Sequence, residues 1–306
     1  MVLEDIISDR MARKHPVDLL FVSLLMSSVA IWGSYYVFKE TTSILSLAFV
    51  TIGLMPLIHA IFVEEEEEEA EELGPASGFL SRHFDIIKIL TWFFLGLVLS
   101  YAFWYVVLPT AKEEMCVAGA CFPAPLRGKV FAEQEKTYAF IAGKLTGLGG
   151  ATGLVTGLVE ATGFATRDSC LGKAKSLVGC TEFIYANNSV VLGLAILFSF
   201  VWGAGALFLL GWNASVIGVF IGKEVLEKDW MAGLLKALGY IPHGLPEVMA
   251  YFIGSIAGGI ISVAIVKKKY KTHEFEQIAK DVLFLLVLSY VMLFVGALVE
   301  AYFIVG

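Results

Sequence analysis

The chain has 306 residues, of which 58% are hydrophobic and 17% charged, with a net charge of -7, and its mean hydropathy is +0.77. That balance excludes a soluble globular domain, and it leaves no broad basic surface for nucleic acid. It describes an all-α polytopic transmembrane helix bundle, because the apolar runs are long enough to cross about 30 Å of hydrocarbon as helices and none alternates as barrel strands do.

Residues 1–63 hold two N-terminal transmembrane helices. Arg10, Arg13, Lys14 and His15 precede an apolar run from Val17 to Phe38. The run is too long for a signal-peptide core and has no small-residue cleavage site, so it is a retained span whose basic flank places the N-terminus in the cytoplasm. The second span runs from Thr42 to Val63, with Pro56 as a kink and His59 as an interfacial histidine. Residues 64–85 read as an acidic cytoplasmic linker. Glu64 to Glu69, Glu71 and Glu72 repel one another and extend the chain before Gly74-Pro75-Ala76-Ser77-Gly78.

Residues 86–306 form the remaining transmembrane core. Its first span, Ile86 to Leu108, has Arg82, His83 and Lys88 on the cytoplasmic side and Trp92, Trp104 and Tyr105 near its ends. Residues 109–187 are the long connection, and topology makes this segment extracytoplasmic. It holds all the cysteines, Cys116, Cys121, Cys170 and Cys180. An even count in one outward-facing segment points to disulfides, whose pairing the sequence leaves open. The C-x4-C and C-x9-C spacings are not those of common zinc motifs, and no histidine lies in the segment. Within Thr137 to Gly163, Gly149, Gly153 and Gly157 fall four apart, a close-packing face for a second copy of the chain or for the bundle. Lys144 and Glu160 argue against a full span there.

Asn187 and Asn188 open the next span, to about Leu210. Gly211-Trp212-Asn213-Ala214-Ser215 then interrupts the apolar run, which predicts a short or broken crossing from Asn213 to Lys228 and an amphipathic helix from Trp230 to Tyr240 on the outer surface. Lys267, Lys268, Lys269 and Lys271 mark the cytoplasmic end of a helix that starts at Pro242. A last span, Asp281 to Ile304, ends outside and carries Glu300 near its outer end. The expectation is therefore about six full spans plus one short or broken crossing. Phosphate loops, nucleophile elbows and H-E-x-x-H are absent, and no catalytic residue is assigned.

The stretch with most chemistry is Ile241-Pro242-His243-Gly244-Leu245-Pro246-Glu247. Pro242 suits a first helical turn, which makes His243 and Glu247 neighbours on one face. That face continues through Ala250, Gly254 and Gly258, whose small size turns it towards protein. Glu300 and Asn188 fall in the same outer layer, so Glu247 and Glu300 are expected to be spatial partners, with His243 completing the group. Two unpaired carboxylates would repel, so at least one is protonated, shares a cation, or hydrogen-bonds to His243 or Asn188. Three readings stand at this point: a divalent cation such as zinc or manganese, a proton relay, or a satisfied polar network that fixes helix packing. Asn213 lies on the other side of the membrane and joins none of them.

The ordered set Asn187-Asn188, Gly211-Trp212-Asn213-Ala214-Ser215-Val216-Ile217-Gly218, Pro242-His243-Gly244 with Glu247, and Ala297-Leu298-Val299-Glu300-Ala301-Tyr302 resembles the stage II sporulation protein M family of integral membrane proteins over about residues 86–306. The resemblance implies a membrane anchor in an assembly that remodels the cell envelope, with hydrolysis done by a partner. It implies motif positions at Asn188, Asn213, His243, Glu247 and Glu300.

The leading functional expectation is a non-enzymatic scaffold or membrane-remodelling component in the cell membrane, with its C-terminus extracytoplasmic. Its partners would be membrane lipid, a second copy of the chain, and envelope or membrane proteins. An ion or small-solute transporter is the first alternative, built on a broken helix beside acids. A metal-dependent intramembrane hydrolase, in which Glu247 and His243 activate a water, is the second.

Overall fold

A computed structural model describes residues 15–71, 84–111, 114–117, 120–141, 176–202, 205–272 and 274–305. Its long helices are α1 (Asp18–Val37), α2 (Thr42–Glu71) and α3 (Phe84–Val107), followed after the long connection by α6 (Leu177–Trp202), α7 (Leu207–Glu227), α8 (Trp230–Val266) and α9 (Glu274–Val305). Within the connection lie a hairpin of β1 (Glu114–Val117) and β2 (Ala120–Pro123) and two short helices, α4 (Arg127–Val130) and α5 (Ala132–Ile141). Among the described residues, seven helices are long and apolar enough to cross a membrane. The protein is a multi-pass membrane protein.

The helices sort into two packed groups. In the first, α3 lies between α1 and α7, with α2 against α1 and α7. Close approach of α7 to α3 depends on Gly218 and Gly222: a Cβ there would stand 2.7 Å from the Val98 carbonyl oxygen and 3.0 Å from that of Ala102. Hydroxyl groups pin the same helices, through Ser27 donating to Ser100 at 2.7 Å, the Ser46–Tyr101 hydroxyl pair at 3.0 Å, and Trp104 Nε1 donating to Ser28 at 2.8 Å. The connection after α3 folds back over one end of this group. Tyr36 bonds to the Pro123 carbonyl, Ser43 to that of Val130, and the fully buried Gln134 of α5 to Ser215 Oγ of α7 at 3.1 Å.

The second group is α6, α8 and α9, each in contact with the other two. Gly254 and Gly258 of α8 face α6, where an added Cβ would meet Leu192 Cδ1 and the Ile196 carbonyl oxygen at 2.5 Å each. Ala297 and Ala301 of α9 receive Cys180 and Ile184 of α6. The expected small-residue face through Ala250, Gly254 and Gly258 therefore packs inward, and α6 is the helix it admits.

Several expectations are corrected. The broken crossing is an unbroken 21-residue helix, α7. Asn213 donates to the Leu209 carbonyl at 2.9 Å and Ser215 to that of Trp212 at 2.8 Å, so these two polar side chains of the interrupting stretch bond back into their own helix. The amphipathic helix and the Pro242 helix are one element of 37 residues with Pro242 and Pro246 inside it. Neighbouring helices make such prolines tolerable in apolar bundles. Asp229 caps its start by accepting from the Ala232 N–H at 2.7 Å, and Trp230, Leu234, Leu238, Ile241 and Leu245 are exposed apolar side chains along it. The span assigned to Asn187 begins ten residues earlier, at Leu177. The acidic run continues α2 to Glu71 instead of opening a linker at residue 64, as the helix propensity of glutamate allows.

The hairpin in the cysteine-containing segment was not expected. Its register sets Cys116 opposite Cys121, and no cysteine among the described residues is free. Arg10, Arg13, Lys14, the Gly74–Gly78 stretch, Arg82, His83, Lys144, Glu160, the Gly149/Gly153/Gly157 repeat, Cys170 and the Cys116 side chain lie outside what is described.

Candidate functional site: a carboxyl pair between three helices

The site is assembled by buried helix faces made mostly of small or apolar residues, each of which brings one amide or carboxyl to the centre. On α6 the buried face reads Cys180, Ile184, Asn188, Leu192, Ala195 and Ser199, one residue every turn. Asn188 is fully buried, eleven residues past Leu177, so it lies about 16 Å along its helix and not at the helix mouth. Its Nδ2 donates to Glu247 Oε1 of α8 at 2.7 Å.

Glu247 in turn lies beside Glu300 of α9, close enough for each carboxyl to act on the other. The residue that permits this is Gly296, one turn before Glu300. A Cβ at Gly296 would stand 2.7 Å from Glu247 Cγ and 3.2 Å from the His243 backbone oxygen. Any larger residue would push α8 off α9 and separate the carboxyls. Sequence reasoning missed Gly296. The available signal was its place four residues before an intramembrane acid, on the same face.

Two more polar atoms next to this group lack a protein partner: Asn188 Oδ1 and the hydroxyl of Tyr251, one turn below Glu247 and 3% exposed. Electrostatically, the Tyr251 hydroxyl feels both Glu247 and Glu300. Neither carboxyl has an ion pair with a basic side chain among the described residues.

The structure thus brings together Asn188, Glu247 and Glu300, and it leaves out His243. The imidazole stands against Tyr240, with ring centroids 5.9 Å apart, and its buried Nδ1 has no partner. What His243 presents to α9 is its backbone carbonyl. The expectation that His243 completes the group is corrected, and with it the Glu/His pair needed to activate a water. Among the described residues no group of three or more His, Cys, Asp and Glu is placed to hold a metal ion. Two carboxyls converge without the imidazole, so the donor set expected for zinc is not assembled.

The other motif positions lie off the cluster. Asn187 is half-buried, Pro242 is exposed, and Gly244 has only Tyr240 Cβ, at 3.9 Å, within reach of an added Cβ. Asn213 serves its own helix, as described above.

Neither a curated protein nor a solved structure matches the chain. A family match does exist, to stage II sporulation protein M, over residues 89–303, and it takes in the whole of α6, α7 and α8, the carboxyl pair and Gly296. With well over half of its residues matched, the chain belongs to the stage II sporulation protein M family.

Proposed function

We propose that this protein is a non-enzymatic structural component of the cell membrane, a scaffold whose α6–α8–α9 unit is held as one body by the Asn188–Glu247–Glu300 network. The observation that carries the reading is the 2.7 Å bond from the fully buried Asn188 to the half-buried Glu247, with Glu247 closing on Glu300. The amide of α6 and the carboxyls of α8 and α9 act on one another, which ties together three helices that lipid alone would not order. The partners are envelope or membrane proteins, or a second copy of the chain.

The proposed orientation puts the N-terminus in the cytoplasm and the β1–β2, α4 and α5 segment outside. It is supported by Lys267, Lys268, Lys269 and Lys271 following α8. A single cysteine at Ser77 or Thr272, in a background lacking the native cysteines, should label only from the cytoplasm, and labelling of Thr272 from outside contradicts this topology. Cys116 is proposed to pair with Cys121 across the hairpin, since directly opposed antiparallel residues fall within disulfide range. Cys170 then pairs with Cys180. Support comes from Cys121 and Cys180, neither of which carries a free thiol.

The test of the scaffold reading has two arms. Crosslinking in native membranes should trap a complex of defined mass, and purified protein should contain no stoichiometric metal. A monomer under all crosslinking conditions, or a stoichiometric metal lost on Glu247→Gln, contradicts the reading.

A further inference from the structure

The close approach of Glu247 to Glu300, across the Gly296 contact, has a chemical requirement of its own. An ionised carboxylate has lone pairs and no hydrogen, so two ionised carboxylates cannot bond to each other and repel. Two carboxyls side by side, with no ion pair to a basic side chain among the described residues, need a hydrogen on one of them or a cation between them. On the α6 side, Glu247 Oε1 accepts from Asn188 Nδ2 at 2.7 Å.

The surroundings agree. From α6 the pair faces the neutral amide of Asn188, and from α8 it faces Tyr251, with Tyr240 and His243 a turn or more away. None of these is a lysine or arginine. Two negative charges would have no counter-charge in a medium where burial of even one is costly. Asn188 Oδ1 and the Tyr251 hydroxyl, both buried and without a protein partner, show that the pocket is polar beyond the pair.

We infer that Glu247 and Glu300 form a proton-binding site, one proton held between the two carboxyls and one negative charge retained, with Asn188 fixing which oxygen accepts. The proton crosslinks α8 to α9 as Asn188 crosslinks α6 to α8. Asn188 and Tyr251 are positioning residues. The inference rests on the network described above and not on the scaffold role.

Infrared spectroscopy of the purified full-length protein in lipid nanodiscs at neutral pH tests it. Wild type should show the carbonyl-stretch band of a protonated carboxylic acid, shifted in D2O. The band should disappear in E247Q or E300Q, because an amide supplies the hydrogen and leaves the other group ionised. Both glutamine variants should unfold close to the wild-type temperature, whereas E247A and E300A fall by on the order of 5–10 °C. Tyr251→Phe should move the band without removing it. Absence of the band in wild type, or its persistence in both glutamine variants, overturns the inference. So does a loss in E247Q and E300Q as large as in the alanine variants, combined with wild-type stabilisation by sodium or calcium chloride over choline chloride: a hard cation would then join the carboxyls. The infrared results leave the crosslinking test of the scaffold reading untouched, whereas a cation at the pair would also be caught by its metal test.

Discussion

The two helix groups solve the same packing problem with different polar chemistry. In α1, α2, α3 and α7, glycine lets backbones approach at Gly218 and Gly222, and neutral hydroxyl and amide groups join the helices, through Ser27–Ser100, Ser46–Tyr101 and Gln134–Ser215. In α6, α8 and α9 the glycines are there again, at Gly254, Gly258 and Gly296, but the junction is made by two carboxyls and an amide. A carboxylate takes part in the first group too, where Glu135 of α5 accepts from Tyr105 of α3 at 3.0 Å, but it belongs to the connecting segment. In the second group the acids lie within the long apolar helices themselves.

That contrast can be broken most forcefully at Gly296. Gly296→Leu should cost about 3 kcal/mol, since even a Cβ would stand 2.7 Å from Glu247 Cγ and tightly, at 3.2 Å, against the His243 carbonyl, with the rest of the side chain still to be placed. Thermal unfolding near the wild-type midpoint would show that α8 and α9 are not so close. Next comes Asn188→Ala, which strips a fully buried donor from a half-buried carboxyl and should cost roughly 2–3 kcal/mol. Gln134→Ala removes a neutral bond from a fully buried site in the first group, with an expected loss of about 1–2 kcal/mol. Ser46→Ala should be the mildest, about 1 kcal/mol, because the Tyr101 hydroxyl is left with one neutral bond fewer. If denaturant titration ranked Ser46→Ala above Asn188→Ala, the distinction between the charged and the neutral junctions would fail.

Much of the architecture was legible because hydropathy marks lipid contact directly. The run from Val17 to Phe38 and the helix Asp18–Val37 differ by one residue at each end. The failures share a physical cause, namely that local signals were read as helix boundaries where tertiary partners override them. Pro242 resembles a start, yet α8 passes through it; Gly211 to Ser215 resembles a break, yet Asn213 and Ser215 bond back into α7. Leu177 to Ala186 was left out of its span because Thr181 and Glu182 dilute the apolar run. In the site, the meeting of Glu247 with Glu300 could be argued from topology, because both fall in one layer. The exclusion of His243 could not, because it depends on the ring turning to Tyr240 while the backbone carbonyl faces Gly296. Gly296 itself acts only through a helix approach that no single helix encodes.

The central claim is that Glu247 and Glu300 act as one unit, and a double-mutant cycle measures this most directly. Unfolding free energies of Glu247→Ala, Glu300→Ala and the double variant are compared in the same lipid or detergent. Each single substitution leaves one carboxyl buried without its partner, while the double removes both, so the double should cost less than the sum by roughly 1–3 kcal/mol. Additivity within about 0.5 kcal/mol would mean that the two acids do not share a site.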